Sequence, residues 1–258
     1  VVDNGSTDAS DAVARASGEE VRWLPAGANL GYGAAANLGV AVTVADHVVV
    51  CNPDVVVAPE AVAALSAALS ADAQLGVVGP RILNSDGTTY PSARCFPNLV
   101  DAVGHGLFGL VWKGNPFTRR YRREDADPAL AARVDWVSGA FFCARRSAWR
   151  EVEGFDPKFF MYLEDVDLCW RMGKAGWAVA YQPAAEVVHH QGVATNRHPY
   201  RMLAAHHTSL WRFAVRTTTG PRRVALPLIG AGLVGRLGVA WAQHGLSGRG
   251  LTGRRAAK

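Results

Sequence analysis

Trp136-Val137-Ser138-Gly139-Ala140, Gly154-Phe155-Asp156, Phe159-Phe160, Glu164-Asp165-Val166-Asp167, Gly176-Trp177 and Val187-Val188-His189-His190 follow one another in the second half of the chain. A small-residue turn, apolar platforms, an acidic helix start and a strand-like Glu186-Val187-Val188 ending in histidine are thus gathered in one block. Upstream of it, short apolar runs alternate with helix-like segments. Val1-Val2 runs straight into Asp3, as the end of a buried parallel strand does. A helix is expected after Ser6-Thr7-Asp8, whose side-chain oxygens can accept from unpaired N–H groups. Residues 21–24 read as a short strand, 33–44 as a small-residue helix and 46–51 as a buried strand. Residues 59–69 follow as a helix with proline near its first turn, and 76–83 as another strand. Strands alternating with helices predict an open α/β sheet.

With 258 residues, 49% of them hydrophobic, the chain can bury a full core, which excludes disorder as its main state and suits one large α/β domain with an appendage. Cys51, Cys95, Cys143 and Cys169 form no CxxC pair, so neither a zinc site nor a disulfide framework is indicated, and they read as buried thiols. Charge is unevenly placed. No Asp or Glu follows Glu186, whereas eleven basic residues do: Arg197, Arg201, Arg212, Arg216, Arg222, Arg223, Arg236, Arg249, Arg254, Arg255 and Lys258. The first 186 positions therefore hold 16 basic against 22 acidic residues. Such a tail suits an anionic membrane leaflet, where each nearby Lys or Arg contributes on the order of 1 kcal/mol. A solvated tail is the alternative. No basic-aromatic motif or recognition helix accompanies the charge, so nucleic acid is not expected as a partner.

Residues 84–132 carry Pro91, Pro97, Pro116 and Pro128 with Arg119-Arg120-Tyr121-Arg122-Arg123, and read as a connecting region with an acceptor-facing loop. Residues 206–215 read as a helix. The apolar run 224–242 approaches the length of a membrane span but contains Pro227 and Arg236, and charge is costly there. It reads as an interfacial helix or hairpin, with a packed helix and a true span as alternatives. The Gly-Arg-rich end after Ser247 reads as flexible.

Asp54 ends a hydrophobic strand, which puts its carboxylate at the carboxyl edge of the sheet, where open α/β sheets bind ligands. An Asn-Pro-Asp turn without a ligand is the competing reading. Glu164-Asp165 opens a helix, where acids also favour the helix dipole, and Asp167 with Arg171 reads as a helix-surface pair. Gly31-Tyr32-Gly33 is an incomplete phosphate-loop signal lacking the GxGxxG order. Phe155, Phe159, Phe160 and Tyr162 read as core.

In order and register, the block from Trp136 to His190 resembles the second half of the catalytic domain of inverting family 2 glycosyltransferases, particularly the rhamnosyltransferase-like branch. Val1-Val2-Asp3-Asn4-Gly5-Ser6-Thr7-Asp8 is similar to that family's nucleotide-binding turn. Asn29-Leu30-Gly31-Tyr32-Gly33 with Ala34-Ala35-Ala36-Asn37 matches its glycine-alanine helix start, and Val48-Val49-Val50-Cys51-Asn52-Pro53-Asp54 its metal-binding strand end. The likeness spans roughly residues 1–215, a GT-A domain, and leaves 216–258 as a basic, partly apolar extension.

The resemblance implies a GT-A nucleotide-diphospho-sugar transferase fold: an α/β architecture with a mostly parallel central sheet flanked by helices and a C-terminal helical appendage. It also implies a strand and helix ahead of Val1. The activity implied is metal-dependent inverting transfer of a sugar, rhamnose from dTDP-rhamnose, to a hydroxyl of a cell-surface glycan or lipid-linked saccharide, on the cytoplasmic face of the membrane. Galactofuranose, mannose or another hexose from a UDP or GDP donor stays open.

Residue roles carried over by the likeness are as follows. Asp54 would hold a divalent cation, Mg or Mn, with Asn52 at the first position of the family's Asp-x-Asp motif. His189 would be the second ligand, with His190 as the alternative. Asp165 would be the base, and Glu164 would orient the acceptor or the base. Asp3 and Asn4 would bind the nucleotide base or ribose, Asn29, Gly31 and Asn37 its other side, and Arg81 the diphosphate. Trp136 would stack on a sugar face, and Gly139 would allow close backbone approach. Two rival readings are nucleotidyl transfer, which would call for an N-terminal glycine-rich loop with Arg and Lys that the chain does not display, and a non-catalytic remnant.

Overall fold

The structure, a computed structural model, describes residues 1–96, 112, 114–123, 125–190 and 199–253. Arg197, Arg254, Arg255, Lys258 and Pro97, singled out above, lie outside them. The chain forms two compact units, Val1–Phe160 with Glu164–Gln191, and Met161–Leu163 with Gly192–Lys258.

The first unit opens with β1 (Val2–Asp3), α1 (Ser10–Ala16), β2 (Leu24–Pro25), α2 (Tyr32–Ala41), β3 (His47–Cys51), β4 (Val55–Val57), α3 (Ala61–Ala71) and β5 (Leu75–Leu83). It continues through β6 (Thr89–Tyr90), β7 (Ala93–Arg94), α4 (Pro116–Arg122), β8 (Ala132–Val134), β9 (Trp136–Val137), β10 (Phe141–Arg145), α5 (Arg146–Glu151), α6 (Glu164–Lys174) and β11 (Ala178–His189). The main sheet runs β3-β10-β5-β11-β4, with β6 added to β5 and β8 to β11, while β1–β2 and β7–β9 are separate pairs.

The α/β class is the expected one, but the pairing is not mostly parallel. Among the described residues, only β5–β11 is a parallel pair within the main sheet; β10 lies antiparallel between β3 and β5. The cause is the route of the chain. β5 ends at Leu83, where β6 pairs back on Ile82 and Leu83, and the path into β10 passes Ala140, whose carbonyl accepts from Asn52 N–H just beyond β3 at 2.8 Å. Entering from the edge at which β3 and β5 leave, β10 has to run back, and no crossover helix is needed. β3, β5 and β11 still share one direction, so their carboxyl ends meet at one edge.

Successive side chains of β10 serve opposite faces. Phe141 and Cys143 join Leu65 and Leu69 of α3, Val78 and Ile82 of β5 and Val187 of β11 in one buried cluster. Phe142 instead meets Trp149 at 6.3 Å and Phe155 at 6.1 Å between ring centroids. Phe155 also meets Trp149 edge-on at 5.1 Å. Of the aromatics read as core, Phe155 and Phe159 are buried, whereas Phe160 is 37% exposed. Pro80 interrupts the ladder of β5, since it has no N–H to give, and the register of β11 shifts opposite it between Gln182 and Glu186. Arg145 closes the end of α3 by donating to the carbonyls of Leu69, Asp72 and Leu75.

The second unit contains α7 (Pro199–Thr217), a 3-10 turn at Gly220–Ala225 and α8 (Leu226–Gly253). Pro227 does not break α8, because it stands in the first turn, where its missing N–H has no partner to lose. The apolar run is thus helical throughout rather than a hairpin. Gly220–Trp241 is long and apolar enough to cross a membrane, at mean hydropathy 1.6. Val224, Leu228 and Val234 are exposed on it, and Arg222 and Arg223 lie within its first turn. Ser209 donates to the carbonyl of Met161 at 3.0 Å, and Tyr162 packs edge-on against His206.

Candidate active site

The ends of β1 and the loop before α2 are tied by one asparagine. Asn4 accepts from Leu30 N–H at 2.8 Å and donates to Asn29 Oδ1 at 3.2 Å and to Gly31 O at 3.1 Å. Asn29 Oδ1 also accepts from Gly31 N–H at 3.0 Å, and Asp3 Oδ1 accepts from Ser6 N–H at 2.9 Å. Asp3, Asn4, Asn29 and Gly31 therefore stand together at the end of β1. Gly31 has φ 87°, and a Cβ there would lie 2.3 Å from the carbonyl oxygen of Phe160, so only glycine fits.

Three residues expected at the ligand are otherwise engaged. Asn37 spends both ends of its amide on the backbone of Phe155, accepting from its N–H at 2.9 Å and donating to its carbonyl at 2.8 Å, which makes it a brace. Arg81 is paired with Glu186 at 2.6 Å. Trp136 is buried, its Nε1 donates to Cys95 O at 3.2 Å, and the guanidinium of Arg94 lies 4.9 Å from its ring centroid, which leaves no free face for a sugar. Asp167, read as a surface acid, is fully buried and pairs with Arg171 at 2.7 Å because α6 turns that face inward.

At the carboxyl edge, Asp54 follows β3 and its Oδ1 lies 3.0 Å from Nε2 of His189, at the end of β11. Asn52 Nδ2 is 3.4 Å from the same ring nitrogen. His190 meets Ser85 Oγ at 2.8 Å instead, so His189 is the histidine beside Asp54. Among the described residues no group of three or more His, Cys, Asp or Glu side chains forms a metal cluster. A two-residue donor set still fits a hard divalent ion that keeps water and takes phosphate oxygens. Neighbouring ligands of an octahedral Mg at about 2.1 Å are themselves about 3.0 Å apart. The fit has one open end, since Nδ1 of His189 is buried without a hydrogen-bond partner.

The acidic pair begins α6. Tyr162 and Leu163, just before it in sequence, adopt φ 67° and 61°, a left-handed conformation costly for side-chain-bearing residues. Asp165 accepts from Gly139 N–H at 2.7 Å and from Val166 N–H at 2.8 Å. Tyr32 donates its hydroxyl to the carbonyl of the same Gly139 at 2.5 Å. A Cβ on Gly139 would come 3.1 Å from that of Asp165, so glycine is what permits this grip. Burial pushes the Glu164 carboxyl up to about 8, with the charge of Asp165 adding to the effect, and its Oε2 has no hydrogen-bond partner. Burial raises Asp165 as well, against the pull of its two N–H donors and of Arg94.

The Tyr32 phenol is under the electrostatic influence of both groups of acids. Burial lifts its pKa well above the ordinary value, and the charges of Glu164, Asp165, Cys51 and Asp54 add to the lift. The charges of Asp54 at the sheet edge and of Glu164 and Asp165 at the start of α6 thus act on one buried hydroxyl. Sequence reasoning missed Tyr32 and Arg94. Tyr32 stood inside the glycine motif already noted, but its partner lies 107 residues further on. Arg94 fell in a stretch without periodicity.

The sequence profile of the family described as "Glycosyltransferase like family 2" matches residues 1–215. A curated N-acetylglucosaminyl-diphospho-decaprenol L-rhamnosyltransferase of Mycobacterium tuberculosis is 44% identical over 237 residues, covering 88% of this chain and 77% of the relative. Among solved structures, the mannosyltransferase PcManGT from Pyrobaculum calidifontis, in complex with GDP-Man and Mn2+, aligns with TM-score 0.53 at 16% identity, over 99% of this chain and 69% of that one. GalNAc-T7 with UDP, GalNAc and Mn2+ aligns with TM-score 0.54 at 17% identity, over 75% of this chain and 37% of that one. At such identities the structural likeness concerns the fold alone.

Proposed function

The chain belongs to glycosyltransferase-like family 2, and from that membership we propose that it catalyses metal-dependent, inverting transfer of rhamnose from dTDP-rhamnose to a hydroxyl of a lipid-linked saccharide. The observation that carries this reading is the Asp54–His189 pair at the carboxyl edge of the sheet, together with an Asp165 carboxylate gripped by Gly139 N–H, whose carbonyl holds the Tyr32 hydroxyl. One cluster suits a leaving diphosphate, the other an attacking hydroxyl. The choice of sugar and of acceptor is supported by the rhamnosyltransferase relative.

Asp165 acts as base. Each of its oxygens accepts one backbone N–H and keeps a lone pair for the acceptor hydroxyl, whose proton it takes as the oxygen attacks the anomeric carbon opposite the departing diphosphate. Glu164, protonated near neutrality, offers an O–H to a substrate hydroxyl from its unpartnered side. Asp54 and His189 would hold Mg or Mn, which supplies positive charge to the diphosphate as it leaves. Asp3, Asn4 and Asn29 bind the nucleotide. We assign catalysis to residues 1–215 and membrane contact to 216–258.

The test is nucleotide release from a panel of dTDP-, UDP- and GDP-sugars with Mg or Mn and a lipid-linked acceptor. Acceptor-dependent release from dTDP-rhamnose is the expected result. Release from another donor replaces the sugar, and nucleotide binding without release from any donor overturns the transfer reading.

The basic extension works at the cytoplasmic face of the membrane, where its exposed arginines meet anionic headgroups. Vesicles containing phosphatidylserine are expected to retain the protein while neutral vesicles do not. Arg222→Ala with Arg223→Ala should weaken retention on the order of tenfold. Equal retention on both kinds of vesicle would count against electrostatic docking.

A further inference from the structure

Arg94 on β7 pairs with Trp136 on β9, in a short ribbon apart from the main sheet. Its guanidinium lies 4.9 Å from the ring centroid of Trp136 and 5.5 Å from those of Tyr90 and Tyr121. Nε donates to Pro91 O at 2.7 Å, Nη2 to Tyr90 Oη at 2.9 Å and Nη1 to Tyr121 Oη at 3.5 Å. All these partners are neutral oxygens, and the ion pairs among the described residues do not include Arg94. Enclosing a cation by three rings without a carboxylate to neutralise it costs solvation. Two links connect this cage to the acidic pair. β9 leads within two residues to Gly139, whose N–H grips Asp165 at 2.7 Å, and Ser138 N–H is held by Ser92 O at 2.8 Å from the β7 side of the ribbon.

We propose that Arg94 is a positioning residue for Asp165: stacked on Trp136, it fixes the β9 turn from which Gly139 holds the carboxylate, and it presents an unneutralised positive charge to that same group. The electrostatics agree in both directions. The charge of Arg94 draws the Asp165 pKa down against the larger effect of burial. Burial on its own would lower the Arg94 guanidinium, but Tyr90 and Tyr121, charged only once their phenols ionise, and then Asp165 carry it above its ordinary value. The other titratable groups that interact with Asp165 are Glu164 and Cys169 on α6, Tyr32 on α2 and Tyr121 on α4, all of which would gain negative charge on ionising. Arg94 is the cation among them. Its role is to keep a partly enclosed carboxylate ionised and aimed.

The proposal rests on Asp165 being the base, and the experiment separates the two. The pH dependence of kcat is measured at saturating donor and acceptor for Arg94→Met, Arg94→Lys and Asp165→Asn, with thermal melting as the check on folding. Removing the charge raises the pKa of Asp165, so the acidic limb of Arg94→Met should move to higher pH by about one unit. Arg94→Lys should leave the limb in place but lose turnover, because a flexible ammonium does not stack as a planar guanidinium does. An unmoved limb in a folded Arg94→Met, beside an inactive Asp165→Asn, overturns this proposal alone. Turnover and limb both surviving in Asp165→Asn overturn the base assignment and this proposal with it. Should Arg94→Met not fold, Arg94→Lys decides: unchanged turnover overturns the positioning role.

Discussion

Asp165→Asn is expected to lower transfer at saturating substrate by a factor on the order of 10²–10⁴, the usual contribution of a general base, while nucleotide binding persists. The side chain keeps its shape and loses the lone pair that, under the proposed mechanism, would receive the acceptor proton. It also loses a backbone acceptor. Gly139 N–H and Val166 N–H each donate to one carboxylate oxygen, and an amide can satisfy only one of them, leaving a donor facing a donor at a cost of about 1–3 kcal/mol. A lowered melting temperature is therefore part of the expectation, and nucleotide affinity is the control that separates it from lost chemistry. The wild-type pH profile follows from the same environment. A base must be deprotonated to act, and burial holds Asp165 above the ordinary carboxylate range, so turnover rises with pH through that raised value. It turns down again as Glu164, pushed up to about 8, ionises and stops donating. Full turnover in Asp165→Asn would remove Asp165 from the mechanism.

The residues that could be placed from sequence are those whose position is set locally. A hydrophobic run that stops at Asp54 and another that stops at His189 each declare a strand end, and parallel strands deliver their ends to one edge. What could not be read was which way a side chain faces once the chain has folded back on itself. Trp136 heads a small-residue turn, yet the ring opposite Arg94 is sealed by a cation contributed 42 residues earlier. Asn37 and Arg81 carry ligand-like groups, but Phe155 and Glu186 claim them through contacts across more than 100 positions. The antiparallel insertion of β10 was hidden for a related reason. Phe141–Arg145 has the composition of a buried strand in either direction, and only the route through residues 84–140 decides which. Arg94 shows the limit most clearly. Its neighbours in sequence have no period, and the cage exists only after β7 and β9 have paired.

Asp54→Ala and His189→Ala are expected to lose most of the metal-dependent part of nucleotide binding and to lower turnover by a factor on the order of 10²–10³, the equivalent of several kcal/mol of charge stabilisation at the leaving diphosphate. The two substitutions disturb the folded protein differently. Asp54→Ala removes the oxygen 3.0 Å from His189 Nε2, in a histidine whose Nδ1 already lacks a partner. His189→Ala leaves a carboxylate that is 24% exposed and can be rehydrated. Losses arising from packing alone would therefore be unequal and would be the same with and without Mg or Mn. Losses arising from a shared ion behave otherwise. If the two side chains hold one cation, removing either removes the ion, and the double substitution should cost little more than the more severe single one, a departure from additivity that residues in one network display. Nucleotide binding titrated against Mn in the wild type, both single variants and the double variant gives that cycle without any dependence on acceptor or turnover. Additive losses that do not respond to Mn would assign the pair to structure and leave the diphosphate to be neutralised by other groups.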